Sequence, residues 1–212
     1  MLTLHHSQKS SASYRVRVVL AMKGIDYRTA DVPIFIAGAD QQRATYKSVN
    51  PQGLVPSLDI GGDILTQSLA IVEYLDEKYP TPPLLPASLE DRARVRAMAY
   101  AVAMEVQPLQ GTGVLNHMRD ALGQTQETTR QWAHHWIRKG LGALQDLVIR
   151  APIQGRYCYG DQVTLADLCL APQMVNARRL SCDLTGLERL VAIDRALLEL
   201  PAFKTATSEV PA

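Results

Sequence analysis

The chain has 212 residues, 47% apolar and 20% charged, with 22 Lys and Arg against 21 Asp and Glu. That length holds one large domain or two small ones around a real core, and the composition is too apolar for disorder. A net charge of +1 gives no basic face for sequence-independent nucleic-acid binding, and no apolar run reaches the roughly 18–20 residues that span a bilayer.

Met1 to His6 lacks the basic region and apolar core of a signal peptide, so we expect a soluble cytoplasmic protein. Leu2 to His6 reads as a short strand. Ser10-Ser11-Ala12-Ser13 is rich in capping hydroxyls and precedes a helix from Tyr14 to Lys23, which Gly24 stops. Tyr27 to Val32 suits a strand. Gln41 to Val49 predicts a weaker helix ended by Asn50-Pro51. Pro56 to Ile60 and Asp63 to Thr66 flank Gly61-Gly62 as a hairpin. Ser68 then caps a helix from Leu69 to Tyr79, with Ile71, Val72 and Leu75 inward. The order β-α-β-α-β-β-α implies a mixed sheet covered by helices.

Pro80-Thr81-Pro82-Pro83, with Pro86 nearby, reads as a stiff linker. Beyond it the strand signals fade. Ser88-Leu89-Glu90-Asp91 looks like a capping-box variant. Val95, Met98, Val102 and Val106 then line one face of a long helix that runs until Pro108. Glu127 to Val148 predicts a second helix, with Trp132, Trp136, Leu144 and Val148 as core positions. Thr164 to Asp167 caps a third, to Leu180, and Val191 to Leu198 is a fourth. The expected organisation is a small α/β domain over 1–80, a proline-rich linker over 81–87 and an all-helical domain over 88–212.

Two places in the first domain suit chemistry. Backbone N–H groups at a helix N-terminus favour anions. The serines at 10–13 offer one such end, where simple capping is the plainest role. Gln67-Ser68 offers a second, with the same plain alternative. Between them Val55-Pro56 starts a strand, where a cis bond is a candidate against the commoner trans form. The remaining residues weigh less. His5-His6 and His134-His135 are adjacent pairs that point apart and lack further ligands, so no metal is expected. Cys158, Cys169 and Cys182, an odd number without a CxxC, fit neither a disulfide framework nor a zinc knuckle; buried structural thiols are the better reading.

Ser10-Ser11-Ala12-Ser13-Tyr14-Arg15-Val16-Arg17-Val18-Val19-Leu20 resembles the zeta-class glutathione transferase motif S-S-C-x-W/H-R-V-R-I-A-L. Asn50-Pro51-Gln52-Gly53-Leu54-Val55-Pro56-Ser57-Leu58 is similar to that family's N-P-x-x-x-V-P-x-L, and Gln67 to Leu75 to its Q-S-L-A-I-I-E-Y-L. Gln107 to Gln110, Ala171 to Gln173 and Asp183 to Thr185 match further segments. The family contains maleylacetoacetate and maleylpyruvate isomerases. The resemblance implies a thioredoxin-like N-terminal domain, a helical C-terminal domain, a homodimer and bound reduced glutathione. It implies Ser10 and Ser11 at the glutathione sulfur, Gln41 at the glycyl end, Val55 before a cis Pro56 pairing with the cysteinyl unit, and Gln67 and Ser68 at the γ-glutamyl carboxylate.

This chain departs from the pattern in three places. Ala12 stands where the motif has Cys. Gln8-Lys9 replaces an aromatic and an Arg, and Lys keeps the charge but loses the bidentate fork. Gly111-Thr112-Gly113 follows Gln110, where isomerases commonly have Asn. Lys9 and Arg179 are the candidates for binding the carboxylates of a small acidic substrate. The leading expectation is therefore glutathione-dependent cis–trans isomerisation of a maleyl diketo acid. A general glutathione transferase or peroxidase is the alternative that Ala12 and Lys9 motivate, and a non-catalytic glutathione-fold binding protein is a third.

Overall fold

The computed structural model describes residues 1–34 and 44–208, the last two by backbone alone. In chain order the elements are β1 (Leu2–His6), α1 (Ser11–Met22), β2 (Tyr27–Asp31), β3 (Ser57–Asp59), β4 (Ile64–Thr66), α2 (Ser68–Lys78), α3 (Leu89–Ala103), α4 (Thr112–Asp120), α5 (Gln126–Ile149), α6 (Leu165–Arg179), α7 (Glu188–Leu198) and α8 (Pro201–Ser208). They form two compact units. One comprises Met1–Pro83 and the segment beginning at Leu200, the other Leu84–Glu199.

The first unit is a four-stranded mixed sheet in the order β2-β1-β3-β4. Leu4 pairs in parallel with Thr29 of β2 and antiparallel with Leu58 of β3. Its sheet is mixed, as the order of elements implied, and its β1-α1-β2 crossover and closing β-hairpin are the thioredoxin-like arrangement that the family resemblance implied. The hairpin turn works because Gly61 and Gly62, with φ near 107° and 106°, occupy backbone space that other residues avoid. Asp59 Oδ1 accepts from both of their N–H groups, at 2.8 and 2.7 Å. Those two bonds hold its carboxyl below the usual range.

α1 carries a continuous buried run, Ser13 to Leu20, and packs against both α2 and α8. Ile71, Val72 and Leu75 of α2 are buried, as their spacing required. At the far end of α1, Lys23 Nζ donates to Asp76 Oδ1, Tyr79 O and Pro82 O at 2.9, 2.6 and 2.8 Å. These bonds lock the ends of α1 and α2 to the proline-rich segment. The helix expected over Gln41 to Val49 lies partly outside the described residues. Residues 44–46 are helical and a turn follows.

In the second unit α3 packs on α6 and α5, and α7 on α6. Ser88 caps α3 by accepting from Asp91 N at 3.1 Å. Asp167, fully buried, accepts from Thr164 N and Thr164 Oγ1, closing the box at the start of α6, and also from Cys158 N. Burial raises its carboxyl above the ordinary value, against the pull of those bonds.

Two expectations need correction here, and one helix is an addition. The buried stripe of α5 is Ala133, Ile137, Leu141, Leu144 and Val148; Trp132 and Trp136 flank it half-exposed. α4 was not expected at all; Val114, Leu115 and Met118 do share one face, but the helix is short and buries none of its residues. The last helix, α8, does not belong with the helical unit. Phe203 and Ala206 are buried, Tyr14 Oη donates to Phe203 O, and Arg17 donates to Ala206 O, so α8 closes over α1.

Candidate active site

α1 begins where β1 ends, after the turn Ser7 to Ser10. Ser10 is the N-cap residue, with extended backbone angles, and its Oγ accepts from Ser13 N at 3.2 Å. Ser10 N donates back to Ser7 O, and Ser7 N to Ser13 Oγ. Ser11 and Ala12 form the first helical turn, half-exposed. The expected helix therefore starts three residues earlier than Tyr14. Only Ser10 of the four small residues is the cap, because an N-cap needs extended backbone angles.

Beneath this turn lies Arg17, 2% exposed. Its guanidinium donates to Ser7 O at 3.4 Å, Gln8 O at 3.2 Å and His6 Nδ1 at 3.3 Å. A guanidinium can only donate, so His6 Nδ1 accepts and the proton sits on Nε2. That nitrogen faces Asp31 Oδ1 at 3.1 Å. Burial first, and Arg17 second, hold His6 below its ordinary pKa, against the opposing pull of Asp31.

The second motif forms the loop before β3. Val55-Pro56 is a cis peptide. Immediately before it, Leu54 O accepts from Tyr46 Oη at 2.9 Å and Asn50 Nδ2 at 2.7 Å. Tyr46 Oη also bonds Ser57 Oγ at 2.6 Å. The loop's shape is thus fixed by two side chains gripping one carbonyl. Val55 itself is buried.

The third motif opens α2, and here the cap expected at Ser68 is corrected. The cap position is Gln67, whose side chain makes no capping bond; Ser68 is the first helical residue. Gln67 has φ of 66°, a left-handed conformation that costs a residue with a side chain on the order of 1–3 kcal/mol and concentrates at functional sites. The first-turn N–H groups of α2 therefore meet no side-chain cap from Gln67, which suits an anion there.

Two hydrogen bonds join the three motifs. Gln67 Nε2 donates to Gln52 Oε1 at 2.8 Å, and Arg15 Nη1 donates to Ser68 Oγ at 2.6 Å. Ser10, Ser11, Val55, Gln67 and Ser68 thus lie on one linked framework. Gln41 lies outside the described residues. Lys9 is exposed in the turn before Ser10. Arg179 is exposed in the last turn of α6, in the other unit. Its neighbour Arg178 pairs with buried Asp194 at 2.5 Å. Cys158, Cys169 and Cys182 are all free and buried. Among the described residues no group of three or more His, Cys, Asp or Glu side chains is placed to hold a metal ion. The sequence reading missed Arg15, Arg17, Tyr46, Asn50 and Gln52 as supports. Two arginines inside the apolar run of α1 were the available signal for the first pair.

A thioredoxin-like unit with two anion-favouring helix ends beside a cis-proline loop defines the class as glutathione transferase-like, and residues 4–83 match the glutathione S-transferase N-terminal domain model. The chain is 44% identical to the maleylacetoacetate isomerase of Rhizobium meliloti (strain 1021), over 96% of this chain and 94% of the relative. It is 38% identical to a bacterial zeta-class maleylpyruvate isomerase solved in its holo form, with a TM-score of 0.93 over 99% and 98% of the two chains. It is equally 38% identical to a maleylacetoacetate isomerase from Anaeromyxobacter dehalogenans 2CP-1 with glutathione in its active site. That match has a TM-score of 0.86 and covers 100% and 96% of the two chains. The chain belongs to the zeta-class glutathione S-transferase family that includes these isomerases, and it is an enzyme.

Proposed function

We propose that the protein is a glutathione-dependent cis–trans isomerase of a maleyl diketo acid, maleylacetoacetate or maleylpyruvate, in the breakdown of aromatic compounds. One observation carries this reading most. The three motifs converge through Arg15–Ser68 and Gln52–Gln67, leaving the helix end of α2 uncapped by Gln67 and suited to a carboxylate. The donor set fits the reduced tripeptide: N–H groups and the Ser68 hydroxyl for its γ-glutamyl carboxylate, the Val55 backbone for its cysteinyl unit, Ser10 and Ser11 for its sulfur. Gln41 would serve the glycyl end.

Bound glutathione supplies a thiolate whose reversible addition to the double bond turns it into a freely rotating single bond. The chain's own contribution is electrostatic. The positive end of α1 and the Ser10 and Ser11 hydroxyls stabilise negative charge at the sulfur, where a free thiol of pKa about 8.5 is mostly protonated at neutral pH. Ser10 Oγ already accepts from Ser13 N, so its own proton remains available to donate. Addition next to a carbonyl places charge on oxygen, which needs nearby donors or cations. Lys9 and Arg179 serve the substrate carboxylates and that charge. Ala12 leaves the site without the protein thiol of the family motif, so the reactive sulfur comes from the ligand alone.

The enzyme works as a homodimer in the cytoplasm on this reading, and gel filtration should return twice the 23.3 kDa chain. Turnover of maleylacetoacetate and maleylpyruvate with and without glutathione tests the activity, and the ratio of the two kcat/KM values identifies the preferred substrate. Equal rates without glutathione refute the mechanism. Glutathione binding with conjugation of neutral electrophiles but no isomerisation would favour the general transferase that Ala12 motivates.

A further inference from the structure

Arg15 has no role in the mechanism above, yet it is a charged side chain only 3% exposed. It sits in the second turn of α1 and crosses to the first residue of α2, where Nη1 lies 2.6 Å from Ser68 Oγ. Ser68 is itself 6% exposed. A hydroxyl has one proton and two lone pairs, and a guanidinium can only donate. The direction of this bond is therefore fixed: Ser68 accepts from Arg15, and its single proton is left for another acceptor.

That acceptor is not a capping group of the helix itself, because the α2 end has no side-chain cap from Gln67. An anion seated there would receive the α2 N–H groups and the Ser68 proton together. Charge-assisted hydrogen bonds are roughly twice as strong as neutral ones. A cation one hydroxyl away also polarises the donor toward the anion in a low-dielectric setting.

We propose that Arg15 is a positioning residue for the ligand carboxylate: by fixing Ser68 Oγ as its acceptor, it commits the Ser68 hydroxyl proton to the γ-glutamyl carboxylate of glutathione. Arg15 also ties the carboxylate end of the site to α1, whose N-terminus serves the sulfur. The inference rests on the glutathione reading of the site and adds to it a residue that the ligand does not touch.

The test is calorimetric titration with glutathione and with cysteinylglycine, the dipeptide that lacks the γ-glutamyl unit, beside thermal denaturation of each variant. In the wild type the dipeptide should bind more weakly. Arg15→Met should shrink that preference about tenfold, by weakening glutathione alone, which corresponds to about 1.4 kcal/mol. The same substitution made on Ser68→Ala should leave the preference unchanged, because Arg15 acts through that hydroxyl. Loss of affinity for both ligands alike would mark Arg15 as merely structural and overturn the proposal, as would an unaltered preference in a folded variant. Should Arg15→Met not fold, Arg15→Lys, which keeps the charge and loses the fork, is judged by the same ratio. A wild type that binds neither ligand would instead overturn the glutathione reading itself.

Discussion

Ser10 carries two separable loads, and substitutions can pull them apart. Its Oγ accepts from Ser13 N at 3.2 Å, so Ser10→Ala removes a helix cap at a cost of about 1 kcal/mol. For a chain of this length that lowers Tm by about 2–4 °C. If its remaining proton donates to the bound thiolate, the same substitution also removes a hydrogen bond to a charged group, worth roughly 1.5–3 kcal/mol. At 1.36 kcal/mol per unit, that raises the bound thiol's pKa by about 1–2 units. Ser10→Gly separates the two effects. Glycine is a tolerable N-cap, costing only a few tenths of a kcal/mol, so Tm should hold while the thiol's pKa rises as it does in Ser10→Ala. Ser11→Ala, at the first position of α1, leaves the Ser10 cap in place, and any rise in thiol pKa it causes measures the share of Ser11. The assay is ultraviolet thiolate absorbance of the glutathione complex against pH, with Tm measured in parallel. An identical titration in Ser10→Ala, Ser11→Ala and the double variant would refute hydroxyl stabilisation of the thiolate and leave both serines as helix-end residues only.

The three cysteines are buried, so native protein should react with no equivalents of a thiol reagent and denatured protein with three; Ala12→Cys should add one fast-reacting thiol, its pKa lowered by the helix end, and a fast thiol in the native wild type would refute the assignment. Because His6 is held below its ordinary pKa in the folded state, the unfolded chain binds its proton first. From this group stability should be flat above about pH 6.5, fall as pH drops from there toward the folded-state value, and level off below that value. His6→Asn, which keeps an acceptor for Arg17, should flatten that slope in urea titrations, and an unchanged slope would remove His6 as its source. On α5, a Cβ at Gly140 would fall inside the side chain of buried Val106, whereas one at Gly142 meets nothing within 4 Å. Gly140→Ala should cost about 1–3 kcal/mol and Gly142→Ala should gain up to about 1 kcal/mol of helix propensity; equal Tm values for the two would contradict the packing described.

The strands and the α2 core were legible because their signals are local. Leu2–His6, the Gly61-Gly62 turn and the spacing of Ile71, Val72 and Leu75 each carry a period or a turn chemistry in consecutive residues. What escaped depends on partners distant in sequence. Nothing near Gln67 announces a φ of 66°, because an unfavourable conformation opposes local propensity and is imposed by the surrounding structure. Trp132 and Trp136 looked like core by size, but the smaller Ala133 and Ile137 face inward; Trp132 Nε1 instead reaches Leu109 O at 2.7 Å, satisfying a polar tip at the edge of the core. α4 escaped because its apolar residues, Val114, Leu115 and Met118, span little more than one turn and none of them is buried. Of the site, the helix-end donors and the proline were readable as residue types. The links that gather them, Arg15 to Ser68 and Gln52 to Gln67, span 53 and 15 positions and have no signature in either segment alone.

α8 closing over α1 makes the N-terminal unit discontinuous along the chain. Phe203 and the carbonyls that Tyr14 and Arg17 reach are synthesised after the whole helical unit. The glutathione half cannot finish folding on the ribosome before residues 200–208 have emerged. An excised 1–83 fragment would expose the face of α1 that Phe203 covers. Any chimera that exchanges halves between relatives at the proline-rich segment therefore has to carry this last helix along with the first eighty residues.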